Sequence, residues 1–150
     1  MAIRDFSTRR QNIVKALAEK LKGINGLGSF LTDVGQNVET RLKFWDEINT
    51  FPAIHLNSGS ETREYLAHGQ KTRFLTITIR LYVESEDAPL ALDRLFEDTE
   101  TVIESNSRLL YTDSQGNSQF TQQITIISID TDEGVLEPLG VGEMLIEVRY

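Results

Sequence analysis

Residues 75–84 alternate between aliphatic and polar or amphipathic side chains without interruption. The odd positions hold Leu75, Ile77, Ile79, Leu81 and Val83. The even positions hold Thr76, Thr78, Arg80, Tyr82 and Glu84. Because successive side chains of a β-strand point to opposite faces, this alternation predicts a long strand with its odd face against a core. This stretch alone does not identify what the even face contacts.

The overall composition favours one folded domain without disulfides. The chain has 150 residues, of which 39% are hydrophobic and 25% charged, as expected for a single globular domain. It contains no run near the roughly 20 apolar residues that a membrane-spanning helix needs. Its first residues are charged and no apolar segment follows them, so we expect neither a secretory signal nor a membrane partner. The absence of cysteine excludes thiolate metal ligands and cysteine nucleophiles.

Charge is distributed unevenly along the chain. Residues 1–22 contain six basic and two acidic residues, a net +4, whereas residues 23–150 contain nine basic and 21 acidic residues, a net −12. Tight wrapping by nucleic acid requires a basic surface, so the acidic balance argues against it. For the basic N-terminal segment, a solvated helix face or an acidic protein partner is favoured over a DNA-facing patch.

Residues 6–21 have the periodicity of an amphipathic helix. From Ile13 onward the apolar positions form one stripe, which predicts packing against a sheet. Ser7 or Thr8 is the expected N-cap, and Gly23 is the expected end of the helix.

A second amphipathic helix is predicted over residues 89–104, with Ser85 or Asp87 as its cap and Pro89 in its first turn. Its inward stripe comprises Ala88, Leu92, Leu95, Phe96, Thr99, Val102 and Ile103. Its outer surface is predicted to be strongly acidic and comprises Asp93, Glu97, Glu100 and Glu104, together with Asp98 and Arg94. We expect this surface to be solvated and without carboxylate chemistry.

The remaining segments predict strands and turns. Residues 38–44 alternate and predict a short strand, on which Phe44 and Trp45 would point to opposite faces, so that one aromatic is free to meet a partner. Residues 51–56 and 63–67 predict two strands separated by a turn at residues 57–61. Residues 111–119 predict a polar loop without an apolar anchor. Residues 123–130 are apolar on both faces and predict a central strand, and residues 143–150 predict a final strand.

Together these elements predict an α+β fold. We expect a mostly antiparallel or mixed, twisted sheet of about four to five strands with both amphipathic helices on one face. The chain is expected to be a single domain over residues 1–150. Residues 1–23 form its N-terminal helix, residues 24–51 an irregular segment with a short strand, and residues 52–150 a strand-strand-helix-strand-strand core.

The sequence contains no motif specific to catalysis. His55 and His68 lack the spacing of metal ligands on one helix. The segment "DTDEG" from Asp130 fails the calcium-loop pattern, because Val135 and Val141 stand where glycine and glutamate are required. No phosphate-binding loop and no G-x-S-x-G motif is present. We therefore expect no catalytic residues, no metal and no cofactor, and the profile of an assembly or binding module.

Several segments in order resemble the tail terminator, or tail completion, proteins of long-tailed bacteriophages. These are "FPAIHLNSGSE", "RFLTITIRLYVESED", "ALDRLFEDTETVIESN" and "ITIISIDTDEGVLEPLGVGEMLIEVRY". The positions that match the family pattern are Pro52, Gly59, Glu61, Asp132, Gly134, Pro138, Gly140 and Tyr150. The resemblance extends from about Val38 to the end of the chain.

This resemblance implies a structural virion protein at the tail–neck junction, assembled in the host cytoplasm. Such a protein forms a homohexameric ring that caps the tail tube and stops its polymerisation. Its implied partners are the tube protein, a neck or connector protein and, in contractile phages, the sheath protein, with genomic DNA passing through the lumen. Two alternatives remain open at this point: another neck or head-completion connector, and a small ligand-binding or enzymatic domain.

Within this interpretation, the even face of the strand at residues 75–84 is predicted to meet a neighbouring protein chain. Tyrosine and arginine are enriched at protein interfaces. The predicted interface residues are Trp45, Thr76, Thr78, Arg80 and Tyr82.

Overall fold

The computed structural model describes residues 7–150, apart from the side chain of Trp45. The helices are α1 (Arg9–Leu21) and α2 (Ala88–Ser105). The strands are β1 (Val38–Glu39), β2 (Ala53–Tyr65), β3 (Lys71–Glu84), β4 (Leu110–Thr112), β5 (Ser118–Phe120), β6 (Gln123–Thr131) and β7 (Leu139–Arg149). Among the helices of residues 7–150, none is long and apolar enough to cross a membrane.

Five of the strands form one mixed sheet in the order β1-β2-β3-β7-β6. Only β1 and β2 are parallel, and the other neighbours are antiparallel. Strands β4 and β5 form a separate hairpin. A mixed five-stranded sheet with two helices confirms the predicted α+β fold.

The alternating stretch forms most of β3, and its odd face lies in the core as predicted. Four of its five odd positions are fully buried and Val83 is 4% exposed. The predicted stripes of both helices belong to the same core cluster. On β7, Gly142 allows α2 to approach closely, because a Cβ atom there would lie 2.5 Å from the ring of Phe96.

Both helix caps agree with the sequence. The Thr8 side chain accepts a hydrogen bond from the Gln11 amide at 3.1 Å, and α1 begins at Arg9. The Asp87 side chain accepts one from the Leu90 amide at 3.3 Å, so that Asp87 is the cap of α2. These bonds satisfy amides that have no partner within the helix. Phe6, included in the predicted helix, lies outside the described residues.

The predicted turn at residues 57–61 is wrong. Strand β2 continues through this segment and pairs with β3 from Ala53 to Tyr65. The polar composition of "NSGSE" reflects a β-bulge between Ser58 and Glu61, where the register shifts. A bulge inserts an extra residue in one strand and uses small residues much as a turn does.

Two predictions for the C-terminal half are also wrong. Strand β6 lies at the edge of the sheet, not at its centre, and Ile127 and Ile129 are 55% and 40% exposed. Apolar residues on both faces therefore do not indicate a central position here. The predicted polar loop at residues 111–119 contains the β4–β5 hairpin, and Tyr111 anchors it in the core.

The strand predicted over residues 38–44 is shorter than expected. Only Val38 and Glu39 pair with β2, and a short 3-10 helix follows at Trp45–Glu47. Phe44 is 72% exposed, and it does not share a strand with Trp45. The expected opposition of these two aromatics therefore does not apply.

Asp98 does not belong to the acidic outer surface of α2. Its side chain is buried, and its carboxylate accepts hydrogen bonds from the Leu31 amide, the Thr32 amide and the Thr32 hydroxyl at 2.7–3.1 Å. The loop before β1 is thus attached to the middle of α2. Asp98 points inward beside Thr99, a position that the acidic run around it did not indicate.

We expect Asp98→Ala to lower the free energy of unfolding by about 1–3 kcal/mol, because it leaves the Leu31 and Thr32 amides without the acceptor that attaches this loop to α2. Thermal or urea unfolding measures the change. Glu97→Ala, on the exposed side of the same helix, is the matched control and should have little effect. Equal stability of both variants would show that the loop does not depend on this carboxylate.

Candidate interaction surface

The face of the sheet opposite the helices carries Thr76, Thr78 and Arg80 on β3, all partly exposed. Arg80 lies between His55 of β2 and Glu143 of β7 in the strand register. Its Nε atom is 3.4 Å from Glu143 Oε2, and both side chains are more than one-third exposed. Three of the predicted interface residues therefore lie together on an accessible surface.

Tyr82 lies on the same face but is buried within the chain. Its hydroxyl donates to the Lys43 carbonyl at 3.0 Å, and its ring meets His55 edge-on with the centroids 5.5 Å apart. Ile48 and Phe51 from the preceding segment pack around it. Burial raises the pKa of Tyr82, against an opposing effect of Arg80. Because Tyr82 is buried, it contributes to the stability of the fold. The side chain of Trp45, the fifth predicted interface residue, lies outside the described part of the structure.

Strand β7 adds residues to this surface that were not predicted. Its buried positions alternate from Gly140 to Val148, so its odd positions lie beside the even positions of β3, on the face opposite the helices. We define the open sheet face as Thr76, Thr78, Arg80, Glu143, Leu145 and Glu147. The same period-two pattern that identified β3 runs through residues 140–148 of the sequence, and it would have located these positions.

A group of arginines surrounds the bulge of β2 and the C-terminal residue. Tyr150 donates a hydrogen bond from its hydroxyl to Glu61, and Arg63 donates to Glu61 at 2.8 Å. The guanidinium groups of Arg9 and Arg73 lie 5.0 and 5.6 Å from the centre of the Tyr150 ring. These contacts join α1, β2, β3 and β7 at one end of the sheet.

The Glu61–Tyr150 pair has shifted protonation equilibria. Desolvation raises the pKa of Glu61, but the hydrogen bonds from Tyr150 and Arg63 and the nearby positive charges outweigh it, so that the pKa lies below the usual range. Burial, followed by the hydrogen bond to Glu61 and its charge, raises the pKa of Tyr150 to about 12. At neutral pH the pair therefore holds a carboxylate against a neutral tyrosine.

The opposite end of the sheet is acidic. Residues 84–87 contain three carboxylates and residues 130–137 contain four, and neither segment contains a basic residue. The two segments are adjacent, because the Ser85 amide donates to the Pro138 carbonyl at 2.8 Å. The two ends of β3 thus lie in regions of opposite charge.

The two histidines lie apart, in different surroundings. His55 is buried, with Nδ1 2.9 Å from the Arg41 carbonyl, whereas His68 lies in the exposed turn between β2 and β3. A cleft of about 390 Å³ near His55 is lined mainly by polar residues, including Glu39, Lys43 and Glu47. Within residues 7–150 no group of three or more His, Asp or Glu side chains is arranged to hold a metal ion.

We expect the stability that Glu61 provides to depend on pH. Its lowered pKa in the folded state means that the contribution is present above the unfolded-state pKa of about 4.3 and is lost as the pH falls through the folded-state value. The difference in unfolding free energy between wild type and Glu61→Gln should therefore be constant from neutral pH to about pH 5 and should shrink at lower pH.

Urea unfolding of both proteins across this pH range measures the difference. Glu64→Gln, which removes an exposed carboxylate from the same strand, is the matched control. A difference between wild type and Glu61→Gln that stays unchanged down to pH 3 would contradict the assignment of the lowered pKa.

The comparisons with known proteins agree with one another. The family described as "Bacteriophage Tail Tube Terminator Protein" matches residues 6–150. The chain is 34% identical to the tail tube terminator protein p142 of Escherichia phage T5, over 94% of this chain and 92% of that protein. In structure it is similar to a chain from the virion of a native gene transfer agent particle, with a TM-score of 0.61, 8% identity and coverage of 92% and 93% of the two chains. That last likeness concerns the fold alone.

The family match covers nearly the whole chain, and the identity to p142 is spread over almost the full length of both proteins. The fold, with its five-stranded mixed sheet and two helices on one side, is the one expected from the resemblance. The chain belongs to the tail tube terminator family of bacteriophages.

Proposed function

We propose that this protein caps the tail tube as a hexameric ring, stops its polymerisation and provides the surface to which the neck joins. It acts at the tail–neck junction of the virion after assembly in the host cytoplasm, and it acts by binding, without catalysis. The observation that carries the proposal is the full-length similarity to a tail tube terminator protein. The partners are further copies of the chain, the tube protein and a neck or connector protein, with the sheath protein as a further partner in contractile tails.

The charge of the chain supports passage of DNA through such a ring. The net charge is −8. Carboxylates around a lumen repel phosphates, so that DNA slides without specific binding. The basic residues around Tyr150 are engaged with Glu61 and with aromatic rings and are concentrated at one end of the sheet.

The open sheet face supports a contact with a neighbouring protein chain. It combines Thr76 and Thr78 with the Arg80–Glu143 pair and the partly exposed Leu145. Hydroxyls, one exposed ion pair, the Glu147 carboxylate and a single aliphatic side chain give a mostly polar surface that can pair with another protein. Tyr82 borders this face at one end of β3, where its hydroxyl and ring hold the segment that flanks the surface.

The function is tested with tube protein of the same virus, polymerised with and without this chain. We expect the chain to halt tube growth and to add ring-shaped density at one tube end in electron micrographs. A pull-down with the tube and connector proteins, each alone, separates a terminator from a head-completion connector. Tubes that grow unchanged, together with binding to the connector alone, would contradict the proposal.

Two substitutions separate the interface from the fold. Arg80→Ala removes an exposed ion pair, so we expect it to reduce tube capping while the free energy of unfolding changes by less than about 1 kcal/mol. Tyr82→Ala removes a buried ring, so we expect a loss of about 3–5 kcal/mol. Capping assays and urea unfolding on both variants measure the two effects. Normal capping by Arg80→Ala would remove the open sheet face from the proposed interface.

A further inference from the structure

Within residues 7–150, no strand covers the β6 edge of the main sheet or most of its β2 edge, and the two edges differ in character. Strand β6 forms one edge and pairs with β7 alone among the described strands. The other edge is formed by β2, because β1 covers only Ile54 and His55. Within residues 7–150, no strand lies against the outer side of β2 from residue 57 to residue 65.

The β6 edge contains a β-bulge, but it otherwise has few of the features that protect an exposed strand. It is nine residues long, contains no proline, and has Asp130 as its single charged residue. The register shift between Ile126 and Ser128 turns Ile127 outward, and Ile129 is exposed beside it. A long apolar edge strand is a template for pairing with another chain, and proteins that stay monomeric usually block it.

Among the described residues, the outer edge of β2 has free backbone and polar side chains with which an edge strand such as β6 can pair. Asn57, Ser60 and Thr62 are exposed along it, with Glu61 turned inward to Tyr150. A groove of about 190 Å³ runs between this edge and α1 and is lined by Gln11, Val14, Lys15, Thr40, Asn57 and Ser58. The groove is therefore bordered by backbone on one side and by an amphipathic helix on the other.

The charges on the two sides are complementary. Residues 122–142, which contain β6 and the following turn, carry four acidic and no basic residues. Residues 9–22, which contain α1, carry five basic residues and one acidic residue. Lys15 lines the groove, and Arg10 donates to the Gly59 carbonyl at the β2 bulge. Opposite charges across an interface favour the correct orientation and suppress contacts between like sides.

The strand directions also permit this contact. Strand β6 runs toward the acidic end of the sheet, since Thr131 lies opposite Gly142, whereas β2 runs away from it, since Ala53 lies opposite Tyr82. Two copies placed side by side in the same orientation therefore bring β6 of one copy antiparallel to β2 of the next. Different patches on the two copies make the contact heterologous, and a heterologous contact forms a ring when the rotation from one copy to the next closes.

We propose that β6 of one copy pairs with residues 57–65 of β2 in the next copy, so that the main sheet continues across the subunit boundary. The proposal rests on the proposed ring and names the surfaces that form it. Main-chain hydrogen bonds hold the two strands, Ile127 and Ile129 supply the apolar contact, and the acidic turn after β6 faces Arg10 and Lys15.

Because the chain contains no cysteine, any disulfide that forms between its copies comes from the introduced residues. Cysteine is placed at Ile127 and, in the same chain, at Asn57, Ser60 or Thr62 in turn. After oxidation on tube ends, we expect one of the three pairs to give a ladder of linked chains that ends at the closed ring. A disulfide forms only when the two Cα atoms lie about 4.4–6.8 Å apart. The pair that links therefore also shows which residues of β6 and β2 lie opposite each other.

Single-cysteine variants provide the controls for this experiment. Ile127→Cys alone should give no linked dimer, because a heterologous contact does not bring two β6 strands together. A dimer from Ile127→Cys alone would show a two-fold contact between β6 strands and would overturn the proposal. Rings that form on tubes while all three pairs remain unlinked would overturn it as well.

A charge placed on the edge tests the energetic role of β6. Ile127→Lys should reduce ring formation on tubes by more than about tenfold, since a lysine would be buried against the neighbouring copy. Leu90→Lys, at a 46% exposed position on α2, is the matched control and should assemble normally. Thermal unfolding confirms that both variants fold.

The outcomes distinguish this proposal from the proposed function. If wild-type protein caps tubes and Ile127→Lys, correctly folded, caps them equally well, the β6 contact is wrong and the terminator function stands. If wild-type protein neither forms rings nor stops tube growth, the terminator function itself fails, and the edge contact fails with it.

Discussion

The pairing of β3 on both of its edges is the constraint on which the rest of the structure depends. β2 pairs with it from Tyr65 back to Ala53 on one side, and β7 pairs with it from Leu139 to Arg149 on the other. Its odd face is buried beneath the two helices, so each helix must present an apolar stripe and β7 must present glycine where α2 approaches. Once β3 is placed, the open sheet face, the two free edges and the two charged ends all have defined positions.

These positions connect the fold to assembly. The helices cover one face of the sheet and leave the other to Thr76, Thr78 and Arg80, while residues 44–51 cover only the end of that face around Tyr82. Carboxylates gather at one end of β3, and arginines gather at the other around Glu61 and Tyr150. A chain with distinct and complementary sides has directional contacts, which a closed ring requires. The membership of the tail tube terminator family gives these surfaces a context in the virion.

The strongly periodic segments could be predicted from the sequence, and the aperiodic ones could not. β3 and both helices could be predicted from the spacing of their apolar residues, because burial of one strand face or one helix stripe imposes a fixed period. The bulge in β2 has the local composition of a turn, since Gly59 and its serine neighbours serve both structures. The prediction of a central β6 is wrong because the composition of a strand does not reveal whether a second strand lies beside it. Asp98 is buried and bonded to residues about 66 positions away in the sequence. Such a long-range contact leaves no pattern in the neighbouring residues. At the candidate surface, Thr76, Thr78 and Arg80 were located from β3, whereas the β7 half of the face was missed although its alternation was present in the sequence.

The most direct test of the account is a cryo-electron microscopy reconstruction of the neck-proximal end of the tail. The account predicts six copies of this chain in one closed ring on the last ring of tube protein, with β6 of each copy antiparallel to β2 of the next. A tail end that lacks this chain, or a ring whose copies meet through their helices while both sheet edges stay exposed, would contradict it.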